Sequence, residues 1–132
     1  MNDYVLDASA LVLALNGKDD AADALRGRLS NMRLHAPHLI DAEVGNVLRR
    51  HERAAIISSE EARTALNAAR LLIDHRYPHA GPLAEWAWTW RENLSFYDAL
   101  YVALAVRLGV PLVTGDPRLS KAPGVACAVE LV

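Results

Sequence analysis

Residues 95–116 read SFYDALYVALAVRLGVPLVTGD. Ser95 to Leu108 has the content of a helix, with Ser95 placed as N-cap and Gly109 as the stop. Pro111-Leu112-Val113-Thr114 follows at once as a short apolar strand. A helix feeding directly into a buried strand is half of a βαβ rhythm. It also fixes an edge. Helices in such folds run antiparallel to the strands, so Asp98 at the helix start and Asp116 just past the strand belong to the same rim.

The same alternation extends to both ends of the chain. Tyr4-Val5-Leu6 is a short strand ending at Asp7, and Ser9 to Leu15 is helical until Asn16-Gly17. Asp19 to Leu29 is a second helix, and Arg33 to Ala36 is a brief extended segment closed by Pro37. Leu39 to Arg53 is amphipathic, with Leu39, Ile40, Val44, Val47 and Leu48 on one side. Ser58 or Ser59 caps a helix running to about Asp74, with acids in its first turn as the helix dipole favours. His75 to His79 is a weak strand, Leu83 to Glu92 a helix, Asp116 to Ser120 a turn, and Val125 to Leu131 a last strand. Short apolar strands alternating with helices predict one α/β domain over residues 1–132, a parallel sheet covered on both faces.

Composition agrees. The 132 residues are 52% hydrophobic and 23% charged, which excludes a disordered chain. A lone Cys127, expected in the core, excludes an internal disulfide and a cysteine zinc site and fits a reducing, cytoplasmic setting. No stretch approaches the ~18–20 uninterrupted apolar residues of a membrane helix, and Asp3 and Asp7 break the apolar start that a signal peptide would need. The net charge of −2 argues against bulk electrostatic grip on nucleic acid.

Four acids stand where core-facing residues belong: Asp7, Glu43, Asp98 and Asp116. Glu43 shares a helix face with Leu39 and Val47, and Asp98 with Tyr101 and Val102. All four map to the carboxyl edge of the sheet. Two unit charges at ~4 Å repel by about 4 kcal/mol at an effective dielectric near 20, so protonation or a cation must relieve such a group. An all-oxygen set without paired histidine or thiol suits Mg²⁺ or Mn²⁺. Such a cation polarises phosphoryl oxygens and activates water, and phosphodiester hydrolysis is the expected chemistry. Each acid also has a plainer role. Asp7 is placed to cap the helix near Ser9, Asp98 sits as N3 of a near capping box, and Asp116-Pro117 is a turn pair.

The segments YVLDASALV (4–12), APHLIDAEVGNVLRR (36–50), SFYDALYVALAVRLGVPLVTGD (95–116) and PRL (117–119) resemble, in order and spacing, the PIN-domain ribonucleases of the VapC toxin type. The resemblance covers essentially the whole chain. It implies a PIN-like three-layer fold with about five parallel strands. It implies an endoribonuclease dependent on Mg²⁺ or Mn²⁺, acting on tRNA or ribosomal RNA and leaving 5′-phosphate and 3′-hydroxyl ends. It assigns catalysis and metal binding to Asp7, Glu43, Asp98 and Asp116, with the Ser9 and Thr114 hydroxyls in support. It further implies a homodimer, a cognate VapB-type antitoxin, a prokaryotic cytoplasmic setting and no membrane.

Twelve of the 14 basic residues are arginine, and Arg118, just past Asp116, is the candidate for a substrate phosphate. Trp86 and Trp90 share a helix face and Trp88 points away, which predicts an exposed tryptophan at a protein interface. The histidines show no zinc spacing. Two other functions are compatible with acids at a sheet edge. One is a receiver-type signalling module, in which Thr114 and Lys121 imitate the hydroxyl and lysine; Asp7 followed by Ala8 lacks its acid pair. The other is a nucleic-acid-binding PIN module without turnover. The charge also bears re-counting. With four of 16 acids assigned to a cation, 12 remain against 14 bases, so a loaded rim attracts phosphate.

Overall fold

The computed structural model describes residues 2–132. Five strands, β1 (Asp3–Leu6), β2 (Arg33–Pro37), β3 (His75–Tyr77), β4 (Leu112–Thr114) and β5 (Val129–Leu131), form one sheet in the order β3-β2-β1-β4-β5. Every pairing is parallel. β1 is central, which is why Val5 and Leu6 carry no polar face: both are fully buried, as are Leu112 and Val113 beside them. Seven helices connect the strands: α1 (Ala8–Asn16), α2 (Asp20–Leu29), α3 (Leu39–Arg53), α4 (Ser59–Leu72), α5 (Pro82–Trp88), α6 (Phe96–Leu108) and α7 (Pro117–Ser120).

The strand order argues against a receiver, whose sheet runs 2-1-3-4-5. Here the chain builds outward through β2 and β3, then returns to the other side of β1 for β4 and β5. The point where direction reverses lies between β1 and β4. A crevice at the carboxyl ends of those two strands is where ligands bind in open α/β sheets.

α6 fills the interior. Residues Ala99 to Ala105 are buried without interruption, as expected of a helix apolar on all sides. It stops at Gly109, whose left-handed φ of 69° closes the C-cap with bonds to Ala105 and Val106 carbonyls. Ser58 caps α4 through a reciprocal capping box with Glu61.

Several boundaries differ from expectation. The segment 116–120 is a helical turn rather than an open one, because Asp116 caps it and Pro117 occupies its first position. The last strand pairs only over 129–131, since β4 offers three residues as partner. Cys127 therefore lies before the strand and is half-buried rather than in the core. α5 ends at Trp88 instead of Glu92, and α4 at Leu72. Pro37 belongs to β2 rather than ending it, and β3 stops at Tyr77. His35 is packed inside, bridging Asp3 and the Tyr77 hydroxyl at 2.8 Å each.

Candidate functional site

Asp7 is the residue that leaves β1 and enters α1. Its carboxylate is 7% exposed and is held by three donors. The Ala10 N–H donates to Oδ1 at 3.0 Å, the Ser9 hydroxyl to the same oxygen at 2.7 Å, and the Thr114 hydroxyl to Oδ2. Asp7 thus caps α1 and also faces the β1–β4 crevice; the two roles coexist. Thr114, fully buried, in turn accepts the Asp116 N–H at 3.0 Å. Ser9 accepts the Gly115 N–H at 2.8 Å. Gly115 suits that closeness, since a Cβ there would stand 3.2 Å from Ser9 Oγ, a tight contact. The Ser9 and Thr114 hydroxyls therefore tie the ends of β1 and β4 together around one carboxylate.

Glu43 lies in the second turn of α3, half-buried. The Tyr101 hydroxyl donates to its Oε1 at 2.5 Å. Tyr101 is 1% exposed and comes from α6, the helix that also carries Asp98. Asp98 is N3 of α6. Its backbone N–H goes to the Ser95 hydroxyl at 3.1 Å, so the cap is served by the main chain. Asp116 caps α7 by accepting the Arg118 N–H at 2.9 Å.

The electrostatics divide the four acids. Burial raises the pKa of Asp7, against the pull of its three donors, and Asp116 adds a smaller upward push. Burial also raises Glu43, with Tyr101 opposing and the charges of Asp98 and Asp7 assisting. Burial raises Asp98 too, helped by Asp116 and Asp7. Asp116 is lowered instead, chiefly by hydrogen bonding to Arg118. Arg118 reaches both its oxygens, Nε at 3.2 Å and Nη2 at 3.1 Å, with a side chain 90% exposed.

All four carboxylates consequently belong to one electrostatic neighbourhood. They are not drawn into a ready-made cage: among the described residues no three His, Cys, Asp or Glu side chains gather closely enough to hold a metal. Asp116 is turned towards Arg118, away from a shared cage. The donor set fits a hard divalent cation. It is all oxygen, it offers three carboxylates whose charge is disfavoured without a counter-ion, and no thiol or imidazole competes.

Tyr101 was not singled out from sequence as part of the site. Its signal was a hydroxyl inside an otherwise aliphatic run, three residues past Asp98 on the same helix face. A buried tyrosine hydroxyl needs a partner. Other acids serve structure: Asp19 caps α2, Asp74 accepts the Leu34 N–H at 2.8 Å, and Asp41 is exposed and bidentate to Arg76 at 2.8 and 2.9 Å. Trp86 and Trp90 pack against the core and Trp88 is exposed, as the spacing predicted.

Comparison with known proteins places this geometry. The PIN domain family matches residues 4–125. Ribonuclease VapC1 of Mycobacterium tuberculosis is 54% identical over 132 residues, covering 100% of this chain and 99% of that protein. Ribonuclease VapC9 of the same organism is 42% identical over 128 residues, 97% of each chain. The fold recurs in the crystal structure of VapBC2 from Rickettsia felis bound to a DNA fragment from their promoter. That likeness has a TM-score of 0.70 at 15% identity and covers 98% of both chains. The chain belongs to the PIN domain family and, within it, to the VapC ribonucleases.

Proposed function

We propose that the chain is a cation-dependent endoribonuclease toxin. Asp7, Asp98 and Asp116 hold Mg²⁺ or Mn²⁺, with Glu43 as the fourth carboxylate. The observation that carries this reading is the trio of Asp7, Glu43 and Asp98. All are wholly or half buried at the carboxyl edge, and each is pushed towards protonation first by burial and then by at least one neighbouring carboxylate of the four. A group arranged this way lowers its free energy when a cation arrives. The bound cation supplies Lewis-acid polarisation of the phosphoryl oxygen and acidifies water.

The protein's own side chains do the rest. Ser9 and Thr114 fix the rotamer of Asp7, so its carboxylate needs no reordering on loading. Tyr101 does the same for Glu43 and keeps it oriented while it is charged. Arg118 neutralises Asp116; were Asp116 to hold a cation, the guanidinium would be free for a backbone phosphate of the RNA. With this acid set intact, a binding module without turnover is disfavoured. The substrate class is structured RNA, tRNA or ribosomal RNA, cut to 5′-phosphate and 3′-hydroxyl ends. The partner is a VapB-type antitoxin, and the working form is a cytoplasmic homodimer. Membership among the VapC ribonucleases and the occurrence of the fold in a VapBC2 complex support these assignments.

The test uses purified wild type, Asp7→Asn and Asp98→Asn. Wild type is expected to cleave RNA with added Mg²⁺ or Mn²⁺ and to stop in EDTA. Both variants are expected to fold, by circular dichroism, and not to cleave. Wild-type rates in either variant, or undiminished cleavage in EDTA, would overturn the reading.

A further inference from the structure

The first turn of α6 carries more than Asp98. Phe96 and Tyr97 precede it directly, and both are exposed. Successive helical residues turn by about 100°, so Asp98, Tyr97 and Phe96 fan around the end of α6. On the far side of the fan Phe96 meets Trp88, the last residue of α5, edge to face with ring centroids 6.3 Å apart. Trp88 is 57% exposed. The Arg91 guanidinium lies 5.4 Å from the indole centroid and donates to the Trp88 carbonyl at 3.0 Å. With Ala84 and Glu85 the Trp88–Phe96 pair lines an open, apolar recess.

Leaving three large aromatic side chains in water beside an acidic site costs hydrophobic free energy that polar residues there would avoid. An occupant therefore has to be found, and the surroundings select one. The patch adjoins the rim along the chain, Phe96 and Tyr97 standing directly before Asp98 in the first turn of α6. Arg91, loosely paired with the exposed Glu92 at 3.8 Å, overlooks it. Flat apolar faces beside a cation are the recognition chemistry of unpaired nucleotides, whose bases stack while a phosphate meets the arginine. A base held inside a duplex presents no face to such a platform. The carboxylate of Glu85 at the margin repels phosphate and accepts from base amino groups, so the base and not the backbone enters the recess.

We infer that Trp88, Phe96 and Tyr97, with Arg91, form a stacking platform for an unpaired base of the RNA flanking the phosphate that is cut. This deepens the proposed function and rests on it. It also moves Trp88 from the protein contact expected from its spacing to a substrate contact. The new observations are its pairing with Phe96 and the place of Phe96 in the same helical turn as Asp98.

The experiment measures fluorescence anisotropy of a labelled single-stranded RNA of about ten nucleotides, a length within the usual site size for such grooves. The protein carries Asp7→Asn so that the strand survives. The same strand annealed into a duplex is the control. Single-stranded RNA is expected to bind more tightly than the duplex. Adding Trp88→Ala or Tyr97→Ala is expected to weaken single-strand binding about tenfold or more, while Trp88→Phe stays within about threefold. Affinity unchanged within about twofold in both alanine variants, or equal affinity for the duplex, overturns the platform. A loss of oligomer mass in Trp88→Ala by sedimentation, with RNA affinity intact, reassigns the patch to a protein contact. Cleavage of the same strand by the protein without Asp7→Asn separates the two levels. Cleavage with unaltered alanine-variant affinity removes the platform alone, whereas neither cleavage nor binding of this strand, together with no cleavage of total tRNA and ribosomal RNA, removes the proposed function as well.

Discussion

Replacing Tyr101 by Phe removes one buried hydroxyl and leaves the ring, its packing and the course of α6 in place. The hydroxyl lost is the donor that holds Glu43 at 2.5 Å. A hydrogen bond to a charged group contributes about 1.5–3 kcal/mol, and a half-buried carboxylate recovers part of that from water, so ~1–2 kcal/mol is the expected loss. For a chain of 132 residues that is a fall in Tm of about 3–7 °C. The loss depends on pH. The Tyr101 hydrogen bond holds the Glu43 pKa down against burial, so the substitution raises that pKa further. The full deficit appears where Glu43 is charged, near pH 8, and shrinks on acidification as Glu43 protonates in both proteins. The assay is thermal denaturation of wild type and Tyr101→Phe in EDTA, at about pH 4, where a carboxylate with a raised pKa is largely protonated, and at about pH 8. A Tm unchanged within 1 °C at the higher pH refutes the contact. An equal drop at both refutes the argument from charge.

Two further outcomes follow from the same electrostatics. Asp7, Glu43 and Asp98 have folded pKa values above their ordinary ones, so between the two the native state binds more protons than the unfolded chain. Without cation, stability is therefore expected to fall as pH rises through the raised values, and added Mg²⁺ to flatten that decline; a Tm in EDTA that climbs steadily towards pH 8 contradicts this. Arg118→Ala frees the Asp116 carboxylate from its bidentate partner. An exposed pair of this kind is weak, so calorimetry is expected to show Mg²⁺ binding only a few-fold more tightly in the variant while RNA cleavage slows; weaker cation binding contradicts the displacement of Arg118.

What sequence made legible follows from where physics is local. The βα rhythm, the edge position of Asp7 and Asp116 and the helix starts at Glu43 and Asp98 depend on short-range pattern, and the sheet order agrees with them. Tyr101 was harder to read, because its partner lies 58 residues away and only the packing of α6 against α3 brings them together. The contact of Arg118 with Asp116 depends on a helical turn, α7, where an open turn was expected. β5 was expected four residues too early because Val125, Ala126, Cys127 and Ala128 are apolar enough for a strand. The length of pairing is set by β4, which no local pattern around residue 125 reports.

Asp7 joins local folding to chemistry in a way that bears on genetics. Its carboxylate satisfies the start of α1, and it also receives the buried Thr114 hydroxyl. Alanine there forfeits a helix cap, about 1 kcal/mol, and strands buried donors, about 1–3 kcal/mol more. Asparagine keeps the Oδ1 acceptor for Ala10 and Ser9 and turns an amide donor towards Thr114, whose hydroxyl can rotate to accept it, so the cap survives while the charge is lost. Selection for cells that survive expression would then recover two kinds of escape at this one codon. One kind is full-length protein that persists and still engages its partner; the other is protein depleted by proteolysis. At Asp98, whose cap is served by the backbone, only the first kind is expected.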